Sequence, residues 1–60
     1  MPAETLFAEA LKIVESESIR NWATSDHNRP LWIDYCSKCT GTRRDPNAVA
    51  AYVVCLAIGM

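Results

Sequence analysis

The chain has few glycines, almost no net charge and no long apolar run, and each shortage excludes a class of protein. Gly41 and Gly59 are its only glycines, so a glycine-rich phosphate-binding loop cannot be built. The net charge of −1 and the pI near 5.6 give no long-range attraction for nucleic acid. The longest uncharged run, residues 46–60, is shorter than the ~20 residues that a membrane-spanning helix needs.

A complete set of disulfides is also excluded, because the three cysteines cannot all be paired within one chain. Free thiols suit a reducing compartment, and no basic and apolar leader pattern is present, so the sequence predicts a cytoplasmic protein. Hydrophobic residues make up 50% of the chain and charged residues 22%, which indicates a single globular domain over residues 1–60. A domain of this size buries only about 60% of its unfolded surface, so a metal or a second subunit would add needed stability.

The uncharged run 46–60 is the most apolar part of the sequence and predicts a C-terminal helix. Asp45 can cap the free amides at its start, and Pro46 suits the first helical position. At 3.6 residues per turn the run presents two apolar stripes on roughly opposite sides, Val49, Val53, Leu56 and Met60 on one and Ala50, Val54 and Ile58 on the other. A helix that is apolar on both sides needs neighbours on both sides.

The N-terminal part predicts one long helix of about six turns, from residue 2 or 3 to the polar cluster at residues 24–30. Pro2 suits the first turn, and Glu4 is placed where a carboxylate interacts favourably with free amides. One face of this helix carries Phe7, Ala10, Leu11, Val14, Ser18 and Trp22. Packing of that face is expected to provide most of the stability of the helix.

A shorter middle helix of about ten residues is predicted over residues 31–41. Pro30 suits its first turn, and Gly41 suits the left-handed position that follows a helix. Three helices with short connections predict an all-α fold, a small three-helix bundle with a long N-terminal helix, a short middle helix and an apolar C-terminal helix.

Two cysteines spaced as in a zinc knuckle, Cys36 and Cys39, offer a metal-binding alternative that His27 and Cys55 would complete. A second closely spaced pair is missing, however, and Cys55 lies well inside the C-terminal helix. The favoured interpretation treats all three cysteines as small buried hydrophobes, with Cys36 and Cys39 beside Trp32. No metal or other cofactor is therefore predicted, and a small zinc-stabilised domain is kept as the alternative function.

The sequence offers little catalytic or nucleic-acid-binding chemistry. His27 follows Asp26, but no nucleophile in a recognisable context accompanies this pair, so no enzyme is predicted. A helix-turn-helix could use Arg43 and Arg44 on phosphates, yet the alanine, valine and isoleucine side chains of the following helix offer base edges no hydrogen-bond donors. Specific nucleic-acid binding is not expected. The two arginines could still contact an acidic surface of a protein partner, although a solvated loop is the more frequent outcome for such residues.

In size and in its lack of catalytic motifs the chain resembles small phage or mobile-element proteins that inhibit or adapt a host protein. Apolar surface beyond what one small core can bury, together with the absence of catalytic motifs, predicts a non-enzymatic protein-interaction module with a protein partner. The shortness of the uncharged run predicts no membrane partner. The second apolar stripe of the C-terminal helix predicts in addition a symmetric homodimer. The residues predicted for self-association are Ala50, Ala51, Val54 and Ile58.

Overall fold

The computed structural model describes residues 2–59, and within them the chain forms helices and connecting turns but no strand. The elements in chain order are α1 (Ala3–Ile13), α2 (Glu17–Ala23), α3 (Arg29–Lys38), a 3₁₀ turn (Gly41–Arg43) and α4 (Pro46–Gly59). The predicted all-α bundle is confirmed. It has four helices rather than three, because the long N-terminal helix that was expected is two helices with a break between them.

The break between α1 and α2 is produced by a helix-capping serine. The backbone leaves the helical region at Val14 and at Ser16, and the Ser16 side chain accepts a hydrogen bond from the Ile19 amide at 3.3 Å. Glu17 then occupies the first turn of α2, where its charge opposes the positive end of the helix dipole. The Arg20 guanidinium donates to the Val14 carbonyl, which satisfies an acceptor that the break releases.

The size of the bundle gives a physical reason for the break. An uninterrupted helix over residues 3–24 would be about 33 Å long at 1.5 Å per residue. The longest dimension of the folded chain is only 27 Å. Because the chain turns between α1 and α2, both helices can contact α4, while α1 also contacts α3.

The middle helix has the predicted length but not the predicted end. It starts one residue before Pro30, which lies in its first turn, and it stops at Lys38 because Cys39 is extended. Gly41 has the expected positive φ of 60°, but it opens the 3₁₀ turn instead of ending the helix. This turn separates the two helices and brings Arg43 and Arg44 to the surface.

The start of α4 agrees with the sequence prediction. The Asp45 carboxylate accepts a hydrogen bond from the Asn47 amide at 3.0 Å, and Pro46 is the first helical residue. Met60, assigned above to one apolar stripe, lies outside the described residues. No helix within residues 2–59 is long and apolar enough to cross a membrane.

The core is formed by side chains from all four α-helices and contains no buried polar or charged side chain among the described residues. It consists of Leu6, Phe7, Ala10, Val14, Ala23, Trp32, Cys36, Cys39, Val49, Ala50 and Val53. Stacked rings of Phe7 and Trp32, with centroids 6.5 Å apart, connect α1 to α3. On the predicted hydrophobic face Phe7, Ala10 and Val14 are buried. Leu11 is half-buried, and Ser18 towards the far end is exposed.

Candidate interaction surfaces

The outer side of α4 is an exposed apolar surface. The inner side of the helix buries Val49, Ala50 and Val53 in the core. The outward-facing side chains along residues 48–59 are alanine, tyrosine, cysteine, leucine and isoleucine, without one charge. Ile58 is 74% exposed. A surface helix normally has a polar outer side, so α4 lacks the side chains that would suit it to water.

A groove on one flank of α4 extends this apolar surface to the junction of α1 and α2. This junction groove has a volume of about 610 Å³. Its apolar lining includes Ile13, Ile19, Ala51, Val54 and Cys55. Ile13 is a large aliphatic residue, yet it is 41% exposed. It is the last residue of α1, and the backbone turns away from the helix directly after it. The groove is therefore continuous with the outer side of α4.

The opposite flank of α4 carries a second apolar concavity, which we call the aromatic notch. Its lining includes Trp22, Leu31, Trp32, Tyr35, Tyr52 and Leu56, from three helices, and its volume is about 240 Å³. The Tyr35 and Tyr52 rings stack with their centroids 4.9 Å apart. Each of them also makes an edge-to-face contact with the Trp32 ring, with centroids 5.7 Å apart. Such ring pairs contribute about 0.5–1.5 kcal/mol each beyond the area that they bury, which favours this arrangement of the walls of the notch.

A small cationic pocket adjoins the aromatic notch, and Tyr35 lines both. The pocket has a volume of about 160 Å³ and is also lined by Lys38, Cys39 and Arg43. Lys38 is paired with Asp34 at 3.0 Å in an exposed ion pair. Among the ion pairs found within residues 2–59, none involves Arg43. Burial and the nearby Cys39 thiol raise the pKa of Tyr35, and the positive charge of Arg43 opposes that rise.

The second predicted arginine, Arg44, is placed differently from Arg43. Its guanidinium approaches the Cys39 carbonyl at 3.5 Å, which ties it back to the end of α3. Both arginines are exposed, and their contact with a partner stays a prediction. Only Arg43, however, lines the pocket beside the notch.

The cysteines divide into two buried thiols and one exposed thiol. Cys36 and Cys39 lie in the core as expected, but Cys55 is on the outer side of α4, so the expectation that it is buried is wrong. The error follows from the composition of α4, which is apolar in every direction and gives no sign of which residues face inward. Burial, helped by the neighbouring Cys39, raises the pKa of the Cys36 thiol to about 11, so this thiol stays protonated and unreactive at neutral pH.

The residues of the zinc alternative are not assembled into a site. Within residues 2–59, no group of three or more His, Cys, Asp or Glu side chains is arranged to hold a metal ion. His27 is exposed in the turn before α3, and Cys55 is exposed on α4, whereas Cys36 and Cys39 are in the core. A Cys₃His site would require these elements to rearrange.

The four residues predicted for self-association occupy three different environments. Ala51 and Ile58 are exposed on the outer side of α4, Val54 is half-buried in the junction groove, and Ala50 is buried in the core. The aromatic notch was not predicted from the sequence. Its partial signals were the helical spacing of Leu31, Trp32 and Tyr35 and the aromatic residues at 22 and 52, but their meeting depends on the packing of three helices.

No protein-family model matches the chain, and no curated protein or solved structure matches it either.

Proposed function

We propose that this protein is a non-enzymatic protein-interaction module that forms a two-fold dimer through the outer side of α4. The observation that supports this most directly is the uncharged outer side of α4, on which Ile58 is 74% exposed. The junction groove continues the same surface onto Ile13 and Ile19. A second copy offers the complementary apolar surface that this side of α4 requires.

The free energy of burial favours such a dimer. Full burial of an isoleucine side chain stabilises by about 1.5–3 kcal/mol, and a two-fold axis buries each contacting residue twice. A stable interface buries about 800 Å² of each partner, roughly one fifth of the 4025 Å² surface of the described chain. The outer side of α4 together with the junction groove forms one continuous surface for that purpose.

The proposal also includes binding of a different protein, in the manner of an inhibitor or adaptor of a host protein in the cytoplasm. Both flanks of α4 are concave and mostly apolar. The flank with the aromatic notch also bears tryptophan and tyrosine residues, which are enriched at protein recognition sites. Dimerisation through one flank leaves the other available for this partner. Arg43 is beside that free flank.

The dimer is tested by placing the same charge on two helices. Ala51→Glu adds a carboxylate to the outer side of α4, and Ala8→Glu adds one to the exposed side of α1. We expect Ala51→Glu, and likewise Ile58→Glu, to give a folded monomer in sedimentation equilibrium, while Ala8→Glu stays dimeric like the unmodified protein. Circular dichroism establishes that each variant is folded. An unmodified protein that is monomeric at several hundred micromolar would contradict the dimer.

A further inference from the structure

We infer that the aromatic notch and the adjoining cationic pocket together bind a peptide segment of a partner protein, in which one large apolar side chain lies within a few positions of an acidic residue. This inference rests on the proposed protein-interaction function and specifies the chemistry of the partner. It does not depend on the dimer.

The notch is suited to one anchoring side chain. Its volume of about 240 Å³ is smaller than the pockets of about 300–1,000 Å³ that take drug-sized ligands. Aromatic walls exclude water well and lose little side-chain entropy when they are covered. Leu31, at the rim, is 62% exposed, so an entering apolar side chain would cover it. A bulky apolar residue of the partner is the occupant that gains most from this site.

The cationic pocket next to the notch favours a negatively charged residue of the peptide close to its apolar anchoring side chain. Arg43 and Lys38 line it, and no acidic residue lines either concavity. The only ion pair found there within residues 2–59 is that of Lys38 with Asp34, which is exposed and therefore weak. A carboxylate of the partner can form a charge-assisted hydrogen bond with the Arg43 guanidinium without having to break an ion pair found in the structure. Because Tyr35 lines both concavities, the anchor and the carboxylate are neighbours along the peptide.

A basic or polyphosphate ligand fits this arrangement less well. A basic peptide would place like charge against Arg43 and Lys38. A polyphosphate would gain nothing from the uncharged aromatic notch, and the net charge of the chain is −1. The combination of an apolar anchor and a carboxylate is the chemistry that uses both halves of the site.

Dimer formation leaves this site open. Of the outward-facing side chains of α4, Tyr52 and Leu56 line the notch. The proposed dimer surface is the other part of this side, with Ala51 and Ile58, next to the junction groove. Residues 52 and 58 are six apart, which places them about 120° apart around a helix of 3.6 residues per turn. One dimer can therefore present two notches.

The test begins with selection of a displayed random-peptide library on the folded protein. We expect enriched peptides to share one large apolar residue with Asp or Glu within a few positions of it. A synthetic peptide of the enriched sequence is then titrated, and the emission of Trp22 and Trp32, the only tryptophans in the chain, reports occupation of the notch.

Three variants separate the two halves of the site from the dimer surface. Leu31→Asp should weaken binding of the acidic peptide by about tenfold or more, and Leu31→Ala by less, because the first adds repulsion to the lost contact. Arg43→Glu should abolish the preference for acidic peptides and, in a repeated selection, enrich Lys or Arg beside the apolar anchor. Ile58→Glu should dissociate the dimer but leave peptide affinity within about twofold, since it lies outside the notch.

Several results would overturn the inference. They are a selection that enriches nothing, enriched peptides that are neutral or basic, unchanged affinity in Leu31→Asp, and an Arg43→Glu variant that still prefers acidic peptides. Loss of peptide binding in Ile58→Glu would likewise place the binding surface on the dimer side of α4. A monomeric protein that still binds the acidic peptide would refute the dimer and leave this inference intact.

Discussion

The two longest helices, α1 and α4, pack against each other but differ on their outer sides. Each buries three residues in the core, including Leu6 in α1 and Val53 in α4. The outer side of α1 carries charged residues such as Glu4 and Lys12, the latter paired with Glu9 at 3.3 Å. The outer side of α4 carries no charge. Both helices complete the core, but the exposed side of α4 is apolar along its length, whereas that of α1 carries charges and exposes one large aliphatic residue, Ile13, at its end.

The largest expected effect is the difference in the free energy of unfolding between two truncations. One removes an aliphatic side chain from the inner side of α1, and the other removes one from the outer side of α4. Leu6 is fully buried, so Leu6→Ala should lower the free energy of unfolding by about 2–5 kcal/mol. That is much of the roughly 3–9 kcal/mol expected for sixty residues. Ile58→Ala should change it by less than about 0.5 kcal/mol in dilute protein. Urea denaturation measures both, and equal losses would refute the assignment of the outer side of α4 to solvent in the monomer.

The second comparison concerns pH and uses the buried thiol of α3 and the exposed thiol of α4. The pKa of Cys36 rises from 9.0 to about 11 on folding, so the folded state retains a proton that the unfolded state releases. The stability from this group is fully present below pH 9 and is lost as pH rises to about 11, an effect on the order of 2 kcal/mol.

The measurement is urea denaturation at pH 8 and near pH 11 for the unmodified protein, Cys36→Ala and Cys55→Ala. The alkaline loss of stability should be smaller in Cys36→Ala and unchanged in Cys55→Ala. Tyr35, whose pKa burial also raises, contributes to all three proteins and cancels in the comparison. A loss of the same size in all three would show that Cys36 is not the group responsible.

The smallest expected effect tests what stabilises the break between α1 and α2. Ser16→Ala removes the cap that starts α2, and it should cost about 1 kcal/mol. This corresponds to a fall in Tm of roughly 4–8 °C for a domain of this size. The matched control is Ser18→Ala, an exposed position inside α2 where alanine favours the helix. If both variants melt at the same temperature, the cap is not what stabilises the break.

Much of the fold could be predicted from local sequence signals. Asp45 and Pro46 start α4 as expected, because capping and the fixed φ of proline act within a few residues. The buried face of α1 follows from the helical spacing of its apolar residues. The break at Ser16 had a local signal too, a serine followed by Glu17, but continuous apolar spacing through Val14 and Trp22 favoured one helix.

The orientation of α4 could not be predicted, since every direction around it is apolar and burial of any stripe would satisfy the pattern equally well. Contacts with α1 and α2 decided that Ala50 faces the core and that Cys55 faces outward. The composition of residues 46–60 did determine that some apolar surface would be left uncovered.

The sequence by itself determined the helical class, the starts of α1, α3 and α4 and the excess of apolar side chains, because these depend on composition and on interactions between residues a few positions apart. Only the tertiary structure decided where that excess is displayed. The aromatic notch brings together Trp22, Tyr35 and Tyr52 from three helices, and Arg43 reaches its edge because of a 3₁₀ turn. Such a site depends on how the helices cross, and the crossing is set by the packing of the whole core rather than by any one segment.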